Sequence, residues 1–559
     1  MALRTLYQAC LDSDPARLRV IAYLWDLELH ASRRPDMAAE IVAAMASAEA
    51  VASYLERMSP DERTAIEDLI REGGALPWTI FERRWGKVRT AGPGRVEREE
   101  LWRAPASAAE ALWYAGWVHR TFEQRGERAV EMAFVPEDLV LYIGAPPPKD
   151  IPLPPATSPP EICQCADDSL ADDLVTLWSA VQRSDDLREG LLTQLHPPAD
   201  QRLALVESLS VESEWLRKVE EGRLQPVPKA IVAWLRLDSW SQWSSLIHAW
   251  SSSERWDDLA RIGTLMPDRV KGWQHDPLTA RQAFLAAFGR CEPGQWYEIS
   301  AFVDYIKTYD TDFLRPDGDY DSWAPRDFTT DTPLRGFEAW EAVEGALIPY
   351  LITGPLHWLG LVDLGSRVPT RSSQGEENAG GNLPPDVFRP TTAAAAVLRQ
   401  AEAPILTPPP PVELTASAEL IAPPRRRYER LQLSRVADPV GTAGDYRYRL
   451  SPSSLRRAKQ QRIAHERIIA FLKQATQMDD LPPYMAAAIR RVYEDNTGAS
   501  IARHWLLRLP DPEAMASTSL QSLIVERLSD TLALIRDEDR ARVAQLLLKQ
   551  GLLTDVDES

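Results

Sequence analysis

Residues 144–161 read GAPPPKDIPLPPATSPPE. No helix and no central strand can run through this stretch, because proline fixes φ and has no backbone N–H to donate. It is a stiff spacer. A second proline run, APILTPPPPVEL at 403–414, cuts the chain again. Between them, SRVPTRSSQGEENAGGNLPPD at 366–386 is polar and carries glycine, and is expected to be a disordered loop. These breaks predict an N-terminal part (1–145), a middle part (162–402) and a C-terminal part (411–559), with linkers at 146–161 and 403–410.

Electrostatics narrows what such a chain can bind. Its 559 residues carry 82 Asp plus Glu against 63 Lys plus Arg, a net charge of −19. A protein that coats nucleic acid non-specifically needs clustered cations to neutralise phosphates, so only a local basic face could serve here. No run of about 18 apolar residues occurs, so no membrane span is expected. The start, MALRTLYQAC, lacks the charged and apolar regions of a secretory signal. Cys10, Cys163, Cys165 and Cys291 make no disulfide framework in so long a chain. A reducing cytoplasm, nucleoid included, is the expected location.

Within 1–58, PARLRVIAYLWDLEL and RPDMAAEIVAAMAS read as two helices around a turn at His30–Arg34. That layout suits either a SAP-type DNA-backbone module or a two-helix packing unit. Within 59–145, Ser59, Pro60 and Glu62 form a capping box, and Gly73 and Gly74 stop the helix. LPWTIFERRWGKVR reads as a second helix. SAAEALWYAGWVHRTFE (107–123) reads as a third, with Ser107 as cap and Glu110 at the capping-box position. AVEMAFVPEDLVLYIG then alternates like an edge hairpin. Three helices and a β-wing are the winged-helix order. The third helix offers few donors that could read a base edge, which favours protein packing over sequence readout. Over 82–103, seven Lys plus Arg face four Glu, and Arg83, Arg84, Lys87, Arg89 and Arg95 form a secondary basic patch that could touch phosphates.

The middle part divides on paper into a helical, Trp-rich domain (162–330) and a second winged-helix-like unit (331–402) carrying the polar loop. Trp234, Trp240, Trp243, Trp250, Trp256 and Trp273 sit at irregular spacings in helical segments, as core residues do. GFEAWEAVEGALIPYLITGPLHWLGLVDLG predicts a helix broken at Gly354–Pro355, and DVFRPTTAAAAVLRQ a strand leading into a capped helix.

Catalytic signatures are missing. There is no G-x-x-x-x-G-K-[ST], G-x-S-x-G, H-E-x-x-H or paired C-x-x-C. The CQC at 163–165 lacks a second thiol pair, so no metal is expected. YDTDFLRPDGDYDSW (309–323) is rich in Asp, but counting from Asp317 places Ser322 and Phe328 where a calcium-binding loop needs Gly and Glu. It reads as a solvated acidic loop. No cofactor and no small-molecule substrate are implied, and the chain reads as a non-enzyme.

The C-terminal part holds the strongest positive region. PVELTASAELIAPP reads as strands, RRRYERLQLSRVAD as a basic helix and YRYRLS as a strand. Ser451, or Ser453 with Ser454, caps SPSSLRRAKQQ; AHERIIAFLKQAT and LPPYMAAAIRRVYEDNT read as further helices. Over 425–467, twelve Lys plus Arg face four Asp plus Glu. The candidate contacts are Arg425, Arg426, Arg427, Arg430, Arg456, Arg457, Lys459, Arg462 and Arg467. They could meet phosphates, an acidic partner, or this chain's own carboxylates as an internal clamp. Failing those, they form a solvated helix face whose Arg stems cover apolar surface.

The succession YRYRLSPSSLRRAKQQ…IIAFLKQAT…LPPYMAAAIRRV resembles the N-terminal, non-motor domain of XPB-type DNA helicases. The matching marks are Arg449–Leu450, Ser454–Leu455, Phe471–Leu472 and Leu481–Pro482–Pro483, and the likeness covers roughly 411–510. FERRWGKVRTAGPGRVEREELWRAPASAAEALWYAGWVHR and PLHWLGLVDLG are similar to bacterial helicase-associated proteins that carry this domain without the ATPase. A helicase needs Walker A and B motifs for ATP and Mg²⁺. This chain has no Walker A, and its DEDR at 537–540 follows no apolar strand. The resemblance therefore implies a non-catalytic accessory in DNA repair or a related DNA transaction, with DNA or a separate XPB-type or other helicase chain as partner. A protein scaffold without DNA contact and a winged-helix transcription regulator are the alternatives. The expected fold class is mainly α with small β elements (α+β), multi-domain, with winged-helix-like units and a C-terminal α/β domain like the XPB N-terminal one.

Overall fold

The computed structural model describes every residue except 1–3, 126–127, 148–150, 157, 184–187, 267–274, 368–383, 400, 495–503 and 556–559. Most of the loop expected at 366–386 and Trp273 therefore lie outside the described residues. The chain is a mixed α/β protein with small antiparallel sheets. It forms two units: the first holds 1–410, 423–431 and 441–445, and the second holds 411–422, 432–440 and 446–559. Among the described residues, no single helix is long and apolar enough to cross a membrane.

In the first unit, residues from Leu6 to Leu139 share one core, so the expected boundary at 58/59 does not separate two domains. Helix Pro60–Arg71 starts in the capping box of Ser59 and Glu62, and positive φ at Gly73 and Gly74 ends it. Strand Ala75–Pro77 follows, then helices Trp78–Trp85, Pro93–Glu99 and Ala108–Tyr114, with a 3-10 turn at Leu101–Arg103. Strands His119–Arg125 and Arg128–Phe134 pair as a hairpin, and Ala75–Pro77 adds to the far edge of Arg128–Phe134.

Two expectations need correction here. The helix expected over 107–123 stops at Tyr114, because Gly116 adopts φ +74° with its α-carbon packed against Ile21. A Cβ at Gly116 would lie 3.0 Å from the Ile21 side chain. Beyond it the pattern has period two: His119 and Thr121 are buried, while Phe122 between Thr121 and Glu123 is exposed. The hairpin is thus 119–134, and Glu137–Ile143 is a helix, not the second strand of a wing. Glu110 also differs from its expected part. Ser107 caps the helix, but the Glu110 carboxylate accepts from the N–H groups of Arg89 and Ala106 instead of closing the box.

The middle of the chain is built on one core of residues from Leu170 to Ala394, joined by Leu431. Its antiparallel sheet has the order Ile162–Gln164, Val362–Ser366, Val387–Pro390, Tyr297–Glu298. Two of those strands lie before residue 330 and two after it, so the expected boundary at 330/331 cuts through a single sheet. The 331–402 segment is accordingly not a separate unit. Its helix Trp340–Leu351 does break at Gly354–Pro355, through a π-type turn, and Thr391 caps helix Thr392–Leu398 after the strand.

Tryptophans fill this core. Trp178, Trp215 and Trp234 meet edge to face at centroid distances of 5.2–5.9 Å. Trp250 and Trp256 both donate to Asp258, whose charge is balanced by fully buried Arg281 at 2.7 Å.

The second unit carries two cores, one from Val412 to Tyr493 and one from Leu507 to Leu547. The first rests on strands Glu413–Leu414, Glu419–Ala422 and Asp445–Arg449, with helices Pro452–Gln460, His465–Thr476 and Pro483–Glu494 over them. The second is a three-stranded sheet (Trp505–Arg508, Leu532–Ile535, Ile524–Arg527) with helix Arg540–Lys549. The expected domain 411–559 is therefore interrupted, since 423–431 and 441–445 belong to the first unit.

Replacing Trp178 by Ala should cost about 3–5 kcal/mol, the usual range for emptying a buried aromatic site. Half-exposed Tyr23, replaced in the same way, should cost under about 1 kcal/mol. Urea midpoints of the two variants test this.

Candidate nucleic-acid or partner interface

The cations proposed from the sequence divide into buried and exposed groups. Helix Arg427–Val436 places Arg427 and Arg430 one turn apart on one face. Asp168 and Asp172, four residues apart at the start of helix Ser169–Arg183, present a matching pair of carboxylates. Arg427 donates to Asp168 at 2.6 Å, to Asp172 at 3.1 Å and to the Gln242 side chain at 3.0 Å. Arg430 donates to Asp172 at 2.6 Å and to the Thr176 hydroxyl at 2.6 Å. Arg425 reaches Asp168 at 2.8 Å, and its own N–H reaches Asp172. Both guanidiniums of Arg427 and Arg430 are 1% exposed. Burial pulls the Arg427 pKa down, but the charges of Asp172 and Asp168 outweigh it and leave the group above its usual range.

Arg427 and Arg430 are therefore not surface contacts, and all three arginines, Arg425 with a quarter of its side chain still exposed, clamp onto this chain's own carboxylates. Arg426 is also engaged, donating to the carbonyls of Pro409 and Pro410 and pairing with Glu429.

The remaining candidates lie in the second unit. Ser451 caps helix Pro452–Gln460 and shares a capping box with Ser454, which fixes the helix start and turns Arg456 and Lys459 outward. Arg457 is partly buried and pairs with Asp438 at 2.9 Å. Lys459 is exposed along its stem while its ammonium donates to the Tyr493 carbonyl at 2.5 Å. Arg462 sits in the turn before helix His465–Thr476 with φ +60°, and Arg467 lies in that helix's first turn. Both are exposed, and neither has an ion-pair partner among the described residues.

The secondary patch is largely neutralised. Arg83 pairs with Asp312 at 2.5 Å, and Arg84 lies 3.8 Å from both Asp312 and Glu72. Arg89 pairs with buried Glu110 at 2.7 Å, and Arg95 with Glu99 at 3.0 Å. Lys87 is exposed. The supposedly solvated loop 309–323 supplies part of this neutralisation. Asp312 is 5% exposed and accepts from Tyr320 at 3.0 Å, and Asp317 pairs with Arg125 at 2.8 Å.

Two concavities were not foreseen. In the first unit, a cleft of about 1100 Å³ with mixed polar and apolar walls is lined by Arg84, Arg125, Asp310, Asp312, Leu76 and Ile80 among others. Burial, with Asp312 and Glu72 nearby, raises Asp310 from 3.8 to about 6. In the second unit, an apolar groove of about 460 Å³ runs between helices Pro452–Gln460 and Pro483–Glu494. Tyr484, Ala487, Ala488 and Arg491 form one wall at spacings of three and four, and Leu450 and Leu455 form the other. That spacing was legible in LPPYMAAAIRRV, but two alanines look like helix formers until the facing helix stands away from them.

No protein-family model matches this chain, and no characterised protein matches it significantly in sequence.

Two outcomes test these electrostatics. Asp172→Ala should destabilise by about 3–5 kcal/mol, because Arg427 and Arg430 would be left buried with too little compensating charge; a surface contact would cost under about 0.5 kcal/mol. Because the folded-state pKa of Asp310 is raised, its favourable contribution is complete below about 3.8 and is lost as pH rises to about 6. Asp310→Asn should therefore stabilise by up to about 3 kcal/mol at pH 7.5, with the gain vanishing near pH 4. Thermal melts across that range read both.

Proposed function

We propose that the protein is a non-catalytic accessory of DNA transactions that presents the helical face of residues 446–494 to a polyanion. The observation that carries this reading is where the cations remain exposed. Over 446–494, ten Lys plus Arg stand against four Asp plus Glu in a chain of net charge −19. Arg447, Arg456, Arg462 and Arg467 are exposed there, whereas Arg427 and Arg430 are buried and Arg425 is partly buried against Asp168. Guanidiniums held on strand Asp445–Arg449, helices Pro452–Gln460 and His465–Thr476 and the turn between those helices suit phosphate contacts that position without reading sequence.

The likeness of 411–510 to the non-motor domain of XPB-type helicases points the same way, whereas residues 60–134 run helix, strand, three helices and hairpin, one helix (Pro93–Glu99) more than the winged-helix order. DNA and a separate helicase chain are the partners this reading implies. A second reading, a protein scaffold, is favoured by the apolar groove beside Tyr484 and Leu455, which suits a side-chain anchor better than a phosphate.

Binding of the full chain to labelled duplex, forked and single-stranded DNA at two salt concentrations separates the readings. For DNA contact, affinity on duplex should fall with salt at a log–log slope of about −0.9 per phosphate contact. Arg462→Glu with Arg467→Glu should weaken binding at least about tenfold while leaving the melting curve unchanged. A flat salt response, or a variant that binds as tightly as the original chain, would sink the DNA reading and leave the scaffold.

A further inference from the structure

Strand Ile162–Gln164 is an edge strand of the four-stranded sheet in the first unit, paired on one side with Val362–Ser366. Cys163 and Cys165 lie two residues apart, so an extended backbone sends both side chains to the same face. Their Sγ atoms are 3.9 Å apart, and both residues are exposed. The other two cysteines, Cys10 and Cys291, are 0% and 2% exposed.

The separation matters because it matches a chelate. With Zn–S bonds of about 2.3 Å and tetrahedral angles, two thiolates on one ion stand about 3.8 Å apart. The side chains hold that spacing without any rearrangement of the strand. Nothing nearby completes a closed structural site: among the described residues, no group of three or more His, Cys, Asp or Glu could hold a metal ion. The nearest carboxylate in register, Asp363, is already committed to Arg389 at 2.6 Å and to the Ala166 N–H at 2.8 Å.

We propose that Cys163 and Cys165 form an open two-thiolate site for a soft, thiophilic ion of the Zn²⁺, Cu⁺ or Cd²⁺ class, with the remaining coordination positions left to water or to an incoming ligand. Thiolate sulfur selects such ions over Mg²⁺ or Ca²⁺. Binding forms two S–metal bonds and releases the two thiol protons to solvent, with no change of oxidation state. Burial and the Cys165 thiol raise the Cys163 pKa, so at that sulfur the ion has to displace a proton. An open site on an edge strand exchanges its ion readily, unlike a closed Cys₄ centre. This inference is independent of the DNA reading above.

Cadmium titration of the reduced full-length chain tests it. A thiol reagent applied to the native chain should first count two reactive thiols, with Cys10 and Cys291 reporting only after unfolding. One Cd²⁺ should then bind per chain, with a thiolate-to-metal charge-transfer band and release of two protons read calorimetrically in buffers of different ionisation heat. Cys163→Ser and Cys165→Ser should each weaken binding at least about tenfold by removing the chelate, and the double variant should lose the band. Both positions are exposed, so circular dichroism should show the variants folded. The proposal is overturned if no band appears, if the double variant keeps it, or if one serine variant binds as tightly as the original chain.

Discussion

Two carboxylates at the start of one helix organise much of the first unit. Asp168 and Asp172 are 5% and 1% exposed, and charges so deeply placed persist only when paired and hydrogen-bonded. Arg425, Arg427 and Arg430 provide that pairing from more than 250 residues further along the chain. The segment 423–431 is thereby counted with the first unit although its neighbours on both sides in sequence belong to the second. Helix Ser169–Arg183 is buried along most of its length, Asp173 included, and Asp173 in turn accepts from Arg202 at 2.6 Å. The same device recurs at Asp258 with Arg281 and at Glu344 with Arg315, each pair nearly without exposure. Buried ion pairs of this kind specify which segments meet more than they add net stability.

This arrangement changes what the positive stretch can do. Charge counting over 425–467 treats every arginine alike, yet the first four are consumed by carboxylates and carbonyls. The exposed charge comes from the strand, helices and turn between 446 and 494, and that narrower segment is where the proposed contact with a polyanion rests. The same segment also holds the apolar groove between helices Pro452–Gln460 and Pro483–Glu494, with Arg491 in its lining.

Much of the local structure was legible from the residues. The capping box at Ser59, a serine cap before helix Pro452–Gln460 (Ser451, of the serines the sequence offered), the break at Gly354–Pro355, a capped helix after strand Val387–Pro390 and the helices at 465–476 and 483–494 all appear where local chemistry puts them. Errors arose where two periodicities competed. LWYAGWVHRTF carries enough apolar residues to pass as helix, and only Gly116 at positive φ, pressed against Ile21, shows why the chain turns into a strand. Domain boundaries failed at 58/59 and 330/331 because a polar turn in sequence says nothing about which cores close across it.

The sequence by itself determined the helix starts, the proline spacers, the aromatic core residues and the presence of a dense cationic stretch, because each depends on neighbours within a few positions. Tertiary structure alone decided which cations remain outside, which strands share a sheet and how far apart the two thiols of CQC stand. Those outcomes depend on pairings across hundreds of residues: Asp172 with Arg430, Ile162 with Ser366, Arg83 with Asp312. Coulomb attraction in a dry interior and the closing of a sheet act through space, and neither leaves a local signature in the order of residues.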